Sequence, residues 1–408
     1  MRFALLGSHP DGLEMACALV EAGGHQLIAY SSPSVPADYI RRWGPTARPV
    51  GDLEEVLADP AVEAVVVAGS PANRPYQLRR ALQSERHVLC VHPADQSPDL
   101  GYEAAMIQGD TKCILLPLLP EALHPGVRRL AELLHDPEGP IGALQLIEME
   151  RRSPEAVLLD TGTAGYKPAL PGWDVLRRLG GEIAEVFALT GGDEVIADKP
   201  LLLAGRFESG GLFQAALLPR QGQAHYRLTV IGNRGRAELL FPLGWPGPAF
   251  LSWTDPAGER QEEAWDVWDP WPALVEVFDQ AANQKVLSWQ DEVRCLELDD
   301  AARRSVERRR ASALEYQEAS EEVGFKGTMT LVGCGLLWGV LLLLVLSRWF
   351  PWLGWVIVPL LLVFLALQLL RWLVPRRSPP EPPPQGESRT ASPAETEKRP
   401  RLDEAPRL

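Results

Sequence analysis

Short apolar runs at intervals mark the first third of the chain. Residues 2–7 (Arg-Phe-Ala-Leu-Leu-Gly), 26–30, 64–68 (Ala-Val-Val-Val-Ala), 87–91 (His-Val-Leu-Cys-Val) and 113–116 are five such runs. Helix-like stretches at 13–22 and 99–108 fall between them. Nearly uninterrupted apolar strands alternating with helices predict a parallel sheet covered on both faces. The expected fold is a Rossmann-like, doubly wound α/β domain over 1–118. From about residue 141 the rhythm becomes alternating. Strands are predicted at 144–149, 183–189, 201–207, 212–218, 226–231, 237–241 and 250–253, with glycine turns at Gly210-Gly211 and Gly232-Asn233. Helices are expected at 172–179, 270–283 and, as one long amphipathic element, 291–320. This second region, 119–325, reads as an α+β domain with a mostly antiparallel sheet. The charges at Arg303, Arg304, Glu307, Arg308, Arg309 and Arg310 read as a solvated helix face, with a membrane-surface contact as the alternative.

Two longer apolar runs follow, at 328–346 and 353–373. A spanning helix needs roughly 20 apolar residues. The first run carries no charge, and the second carries none before Arg371. Trp349, Trp352 and Trp372 edge them, as suits the membrane–water boundary. Region 326–374 is therefore expected to be a transmembrane hairpin turning near Pro351. Lys326, Arg371, Arg376 and Arg377 lie on the head side and only Arg348 in the connector. That bias predicts a multi-pass protein of the cell (inner) membrane with head and tail in the cytoplasm. A hairpin that dips in without crossing is the alternative. The tail, 375–408, is rich in Pro, Glu, Ser and Arg, and is expected to stay disordered.

Composition narrows the partners. The formal charge of −14 disfavours nucleic acid. The five cysteines have neither metal nor disulfide spacing, so no metal site is expected. The start, MRFALLGSHP, has too short an apolar run for a signal peptide.

The first turn, Gly7-Ser8-His9-Pro10-Asp11-Gly12, sits where a dinucleotide fold places G-x-G-x-x-G. Gly7 and Gly12 keep the first and third glycines, but His9 stands at the second. That glycine normally lets the backbone approach the pyrophosphate. An imidazole followed by Pro10, which lacks an N–H, leaves less room and one donor fewer. A tight strand–helix turn without nucleotide is the competing reading. Tyr30-Ser31-Ser32-Pro33 ends the second strand without the acid that usually binds ribose. Ser31 or Ser32 could hydrogen-bond a ribose or a 2′-phosphate in its place, with Ser31 the candidate site residue.

Further stretches resemble the Gfo/Idh/MocA oxidoreductases. Val65-Val66-Val67-Ala68-Gly69-Ser70-Pro71 and His87-Val88-Leu89-Cys90-Val91-His92-Pro93 are similar to the family's third-strand Thr-Pro and its Gly-Lys-His-Val…Glu-Lys-Pro signature. The helix from Asp174, the segment Val230–Ala237 and Ser288-Trp289-Gln290-Asp291 add to the likeness, which covers about 1–316. The resemblance implies a nucleotide-binding domain and an open-faced sheet domain. It also implies NAD or NADP as cofactor, a sugar-like or polyol ligand, and homo-oligomers formed through that sheet. Ser70 and Asn73 join the candidate cofactor set with Gly7, Ser8, His9, Gly12 and Ser31. The departures fall on working positions. The family's lysine corresponds to His92 and its catalytic histidine to Pro171, while Asp174 survives. His92, Asp174 and Lys167 (with Tyr166 beside it) are the candidate acid–base groups. The plain alternatives are a backbone-bonded His92 and an Asp174 that caps its helix. The tryptophans 245, 253, 265, 268 and 271 read as core or interface filling, with a stacking cleft as the alternative. Two functions follow. One is a degenerate oxidoreductase scaffold kept as a nucleotide/ligand-binding or assembly module, a pseudoenzyme that binds no cofactor in the limit. The other is an active NAD(P)-dependent oxidoreductase with substituted catalytic residues.

Overall fold

The computed structural model describes residues 1–314, except 32–34, 45, 112, 137, 153–168, 193, 196–198, 220–222, 256 and 282–285. The chain divides into Met1–Ala319 and Ser320–Leu408. Among the described residues no helix is long and apolar enough to cross a membrane. Both expected spans and the tail lie outside those residues.

The first half forms β1 (Arg2–Gly7), α1 (Pro10–Glu21), β2 (Gln26–Ser31), α2 (Ala37–Trp43), β3 (Arg48–Pro49), α3 (Leu53–Ala58), β4 (Ala64–Ala68), α4 (Arg74–Gln83), β5 (His87–Val91), α5 (Pro98–Asp110) and β6 (Leu115–Leu118). The six strands pair in parallel in the order β3-β2-β1-β4-β5-β6. This is the doubly wound arrangement, with its switch point between β1 and β4. All five residues of β4 are buried, as the apolar run demanded. β6 lies two residues later than expected and contains Pro117. An edge strand tolerates a residue with no N–H to give to a ladder.

The second half forms α6 (Pro125–His135), β7 (Leu144–Arg152), α7 (Trp173–Gly180), β8 (Ile183–Thr190), β9 (Leu201–Phe207), β10 (Leu212–Leu218), β11 (His225–Gly232), β12 (Arg236–Phe241), β13 (Ala249–Thr254), β14 (Arg260–Trp265), α8 (Pro270–Gln280), α9 (Trp289–Arg308) and β15 (Ser312–Ala313). The sheet order is β14-β13-β12-β11-β7-β10-β9-β8-β15. Among the described residues of this sheet, only the β7–β10 pair runs parallel. Along β10, Phe213, Ala215 and Leu217 are buried while Leu212 and Gln214 face out. The pleat thus sends alternate residues to the core and to the open face. That open face leaves Phe187, Leu189, Leu202 and Leu212 exposed.

α9 departs from expectation. It stops at Arg308 because Arg309 turns left-handed, with φ 51°, and the chain enters β15. Of the charges read as a solvated face, Glu307, Arg308, Arg309 and Arg310 are exposed, while Arg303 pairs with Asp299 at 3.0 Å with little exposure on either side. Earlier along the helix, Glu292, Arg294, Glu297, Asp299 and Ser305 are buried. The reason is position: α9 lies against both halves of the head. Trp289 Nε1 donates to the Gly101 carbonyl of α5 at 2.9 Å, and the Ser305 hydroxyl accepts from the Ala188 N–H of β8 at 2.9 Å. Ser288 and Asp291 form a capping box that fixes its start.

Candidate functional site

The turn from β1 into α1 is set by Ala68. A Cβ on Gly7 would lie 2.1 Å from the Ala68 carbonyl oxygen, and one on Gly12 2.2 Å from the Ala68 Cβ. Gly7 also takes φ 113°, where a side chain is strained. Both glycines therefore stay for strand and helix packing, whether or not a nucleotide is present. His9 occupies the middle. Its N–H donates to the Ala68 carbonyl at 3.0 Å. Its Nδ1 accepts from the Asp11 N–H at 3.3 Å, which makes the ring the cap of α1. The Leu13 N–H is spent on the His9 carbonyl at 3.0 Å, and Pro10 has none to give. A helix start attracts anions through such N–H groups; here the chain's own ring takes one. Asp11 adds a carboxylate 3.7 Å from His9 Nδ1. Burial, helped by the Arg74 cation, pushes His9 down to about 4, so the ring is neutral at pH 7. Burial raises Asp11, with Arg74 and His92 opposing.

Arg74, at the start of α4, is 1% exposed. Its guanidinium donates to the carbonyls of Gly69, at 3.1 Å, and Pro93. Its Nε lacks a partner among the described residues. Ser70 supplies the carbonyl that receives the Asn73 and Arg74 N–H groups, each at 2.9 Å. Asn73 is the α4 cap position but makes no side-chain cap bond. Ser31 ends β2, half-buried. Ser8 is also half-buried, beside His9.

At the end of β5, His92 precedes a cis Pro93. Its Nδ1 lies 2.7 Å from Glu292 Oε2 of α9. Glu292 Oε1 accepts from the Ala94 N–H at 2.7 Å. A fully buried carboxylate is thus satisfied at both oxygens. His92 is therefore bonded to a carboxylate, not to backbone as the plain reading had it. Burial would lower the His92 pKa, but the Glu292 charge and hydrogen bond, with the Asp174 and Asp299 charges, raise it. Asp174 does not cap its helix; Gly172 occupies that position. Its Oδ2 accepts from the Ala122 N–H at 3.0 Å. Burial and then the Glu121 charge push it up to about 6, against the N–H groups of Ala122 and Val175 and the His92 charge. Arg151 grips both Glu121 oxygens, at 2.7 and 2.9 Å, and lies over the Tyr226 ring. His92, raised chiefly by Glu292, and Asp174, raised to about 6, therefore lie within electrostatic reach of one another as a candidate proton donor and acceptor.

Lys167 and Tyr166 lie outside the described residues. The tryptophans pack on the core. Trp245, Trp265 and Trp268, with Phe241, enclose His124 at ring distances of 4.9 to 6.3 Å. Among the described residues no His/Cys/Asp/Glu group could hold a metal. Glu292, Glu121, Arg151, Arg74 and His124 escaped the sequence reading. Glu292 had a visible signal, since it lies three residues after Trp289 and next to Val293 on a face that proves buried. The others had none.

No protein-family model matches the chain, and no curated protein matches it. Solved structures do match. GenD2 from gentamicin A biosynthesis, in complex with NAD, is 22% identical with a TM-score of 0.65, over 78% of this chain and 97% of that one. Levoglucosan dehydrogenase, in complex with NADH and L-sorbose, is 15% identical with a TM-score of 0.65, over 78% and 99%. A myo-inositol dehydrogenase from Corynebacterium glutamicum ATCC 13032 is 18% identical with a TM-score of 0.60, over 78% and 99%. These are oxidoreductases of the Gfo/Idh/MocA type. The head has their fold, a Rossmann-like domain joined to an open-faced sheet domain.

Proposed function

We propose that the head is an oxidoreductase-type scaffold serving as a ligand-binding or assembly module, with its dinucleotide subsite filled by its own residues. The observation that carries this is the His9 ring, which caps α1 while the His9 N–H is tied to Ala68. The polar groups gathered between the two halves of the head, His92, Asp174 and the Glu121–Arg151 pair, would form a cleft that suits a small sugar-like ligand bearing hydroxyl groups. The exposed apolar residues of β8, β9 and β10 suit a second copy of the chain. The apolar runs at 328–346 and 353–373 would hold the head on the cytoplasmic side of the inner membrane; the chain is then expected to stay in the bilayer after alkaline carbonate extraction, and its release would remove that part of the proposal.

The variant His9→Gly tests the subsite. Freed of the ring, with Gly7 and Gly12 in place, it is expected to bind NADH at least about tenfold more tightly than the parent, which corresponds to about 1.4 kcal/mol. Equal affinity in parent and variant would show that the ring is not the block.

A second reading has one observation in its favour. His92 and Asp174 lie within electrostatic reach of one another, with the pKa of His92 raised and that of Asp174 raised to about 6. That pair suits an active NAD(P)-dependent oxidoreductase acting on a sugar or polyol, with His92 in place of a lysine. Consumption of NADH that requires a sugar or polyol and is lost in His92→Gln would establish it.

A further inference from the structure

We infer that Glu292 is a positioning residue that fixes the tautomer of His92, turning Nδ1–H toward itself and presenting Nε2 to a hydroxyl or carbonyl group of a ligand in the cleft. The inference rests on the cleft being a ligand site and not on a dinucleotide being bound. Glu292 comes from α9, about 200 residues after His92, and nothing in the local sequence of β5 announces it. Its carboxylate can only accept, so the 2.7 Å contact requires a proton on His92 Nδ1. The Ala94 N–H holds the second oxygen at 2.7 Å, so the carboxylate is anchored on the same turn that carries the imidazole. Ring and anchor therefore move together, and the geometry survives small shifts of β5 relative to α9. Nε2 has no protein hydrogen bond among the described residues, and the side chain keeps 18% exposure against 1% for Glu292. The buried end of the ring is committed and the other end remains available. A carboxylate that orients an imidazole in this way decides which nitrogen does the chemistry.

The charged groups facing His92 are Glu292 and Asp299 from α9 and Asp174 from α7. Asp11 of α1 also feels its charge. Three carboxylates around one imidazole favour its protonated form, so Nε2 donates below the raised pKa and accepts above it.

Imidazole-15N NMR of the full-length chain in detergent tests the inference. The chain has seven histidines, and His92→Gln assigns the relevant signal. In the parent, neutral His92 is expected to carry its proton on Nδ1 and to titrate above 6.5. In Glu292→Gln, whose amide can still accept from Ala94, the titration midpoint is expected to fall by about one pH unit or more, with the tautomer mixing or inverting. The His124 signal, shifted by its surrounding rings, reports whether that variant is folded. A parent His92 protonated on Nε2 when neutral overturns the inference without any variant. So does a folded Glu292→Gln with the same tautomer and midpoint. A head that binds no small molecule would defeat the proposed function and leave these readouts unchanged, so the two failures are distinguishable.

Discussion

Glu292→Ala is expected to lower the unfolding free energy by about 3–5 kcal/mol. The carboxylate is fully buried and serves two partners at 2.7 Å, His92 Nδ1 and the Ala94 N–H. Truncation leaves a buried N–H unpaired, strips His92 of its counter-charge and opens a void where α9 meets the first domain. Glu292→Gln keeps the acceptor for Ala94 and most of the volume, so its expected loss is smaller, about 1–2 kcal/mol. Urea unfolding checks both. The midpoint should drop with the slope unchanged, since the surface exposed on unfolding is the same. A loss under about 1 kcal/mol for the alanine variant would mean that water replaces the carboxylate at little cost, and that the two halves of the head do not depend on this contact.

The second large effect belongs to His124. It is fully buried among Phe241, Trp245, Trp265 and Trp268. Its Nδ1 accepts from the Gly126 N–H at 3.0 Å as the cap of α6. Its Nε2 has no hydrogen-bond partner among the described residues. Burial pushes its pKa from 6.5 down to about 4. A histidine with a depressed folded pKa holds fewer protons than the unfolded chain between those two values. Its share of stability is therefore full above pH 6.5, declines as pH falls, and is lost at about pH 4; the sum is about 3 kcal/mol. His9 runs in the same direction. Asp174 runs oppositely, because a raised carboxyl pKa makes stability fall as pH rises from 3.8 to about 6. The net slope therefore mixes signs, and the difference between parent and His124→Asn is the clean readout. Asparagine can still cap the helix but does not titrate. The variant's pH profile is expected to be flatter by about 3 kcal/mol between pH 6.5 and 4. Parallel profiles would show that His124 is solvated in the native state.

The two halves differ in how much the sequence revealed. In the first, apolar runs such as Val65–Val67 translate directly into buried parallel strands, because a sheet covered on both faces has no polar side to confuse the pattern. The boundaries slipped where an edge strand carries Pro117. In the second, β14 (Arg260–Trp265) was missed because its alternating residues are charged on the exposed face and it pairs only at the sheet's rim. The length of α9 was overestimated because helical propensity continues past Arg308, and only the left-handed Arg309 ends it. In the site, chain-local features were legible. His9 at the second glycine position and the absence of an acid after Tyr30 both follow from one turn each. The pairings that arrive from afar were not legible. The periodicity of α9 marks Glu292 as buried, but no spacing rule connects it to His92, or Glu121 and the Arg151 of β7 to Asp174. The reading of Asp174 as a helix cap failed for the same reason, since the Ala122 N–H that it accepts comes from a different segment.

The filling of the dinucleotide subsite by His9 is tested most directly by titrating the purified full-length protein with NADH and NADPH while following cofactor fluorescence. The account predicts no saturable signal up to millimolar cofactor. Saturation at micromolar concentration, for either cofactor, would contradict it.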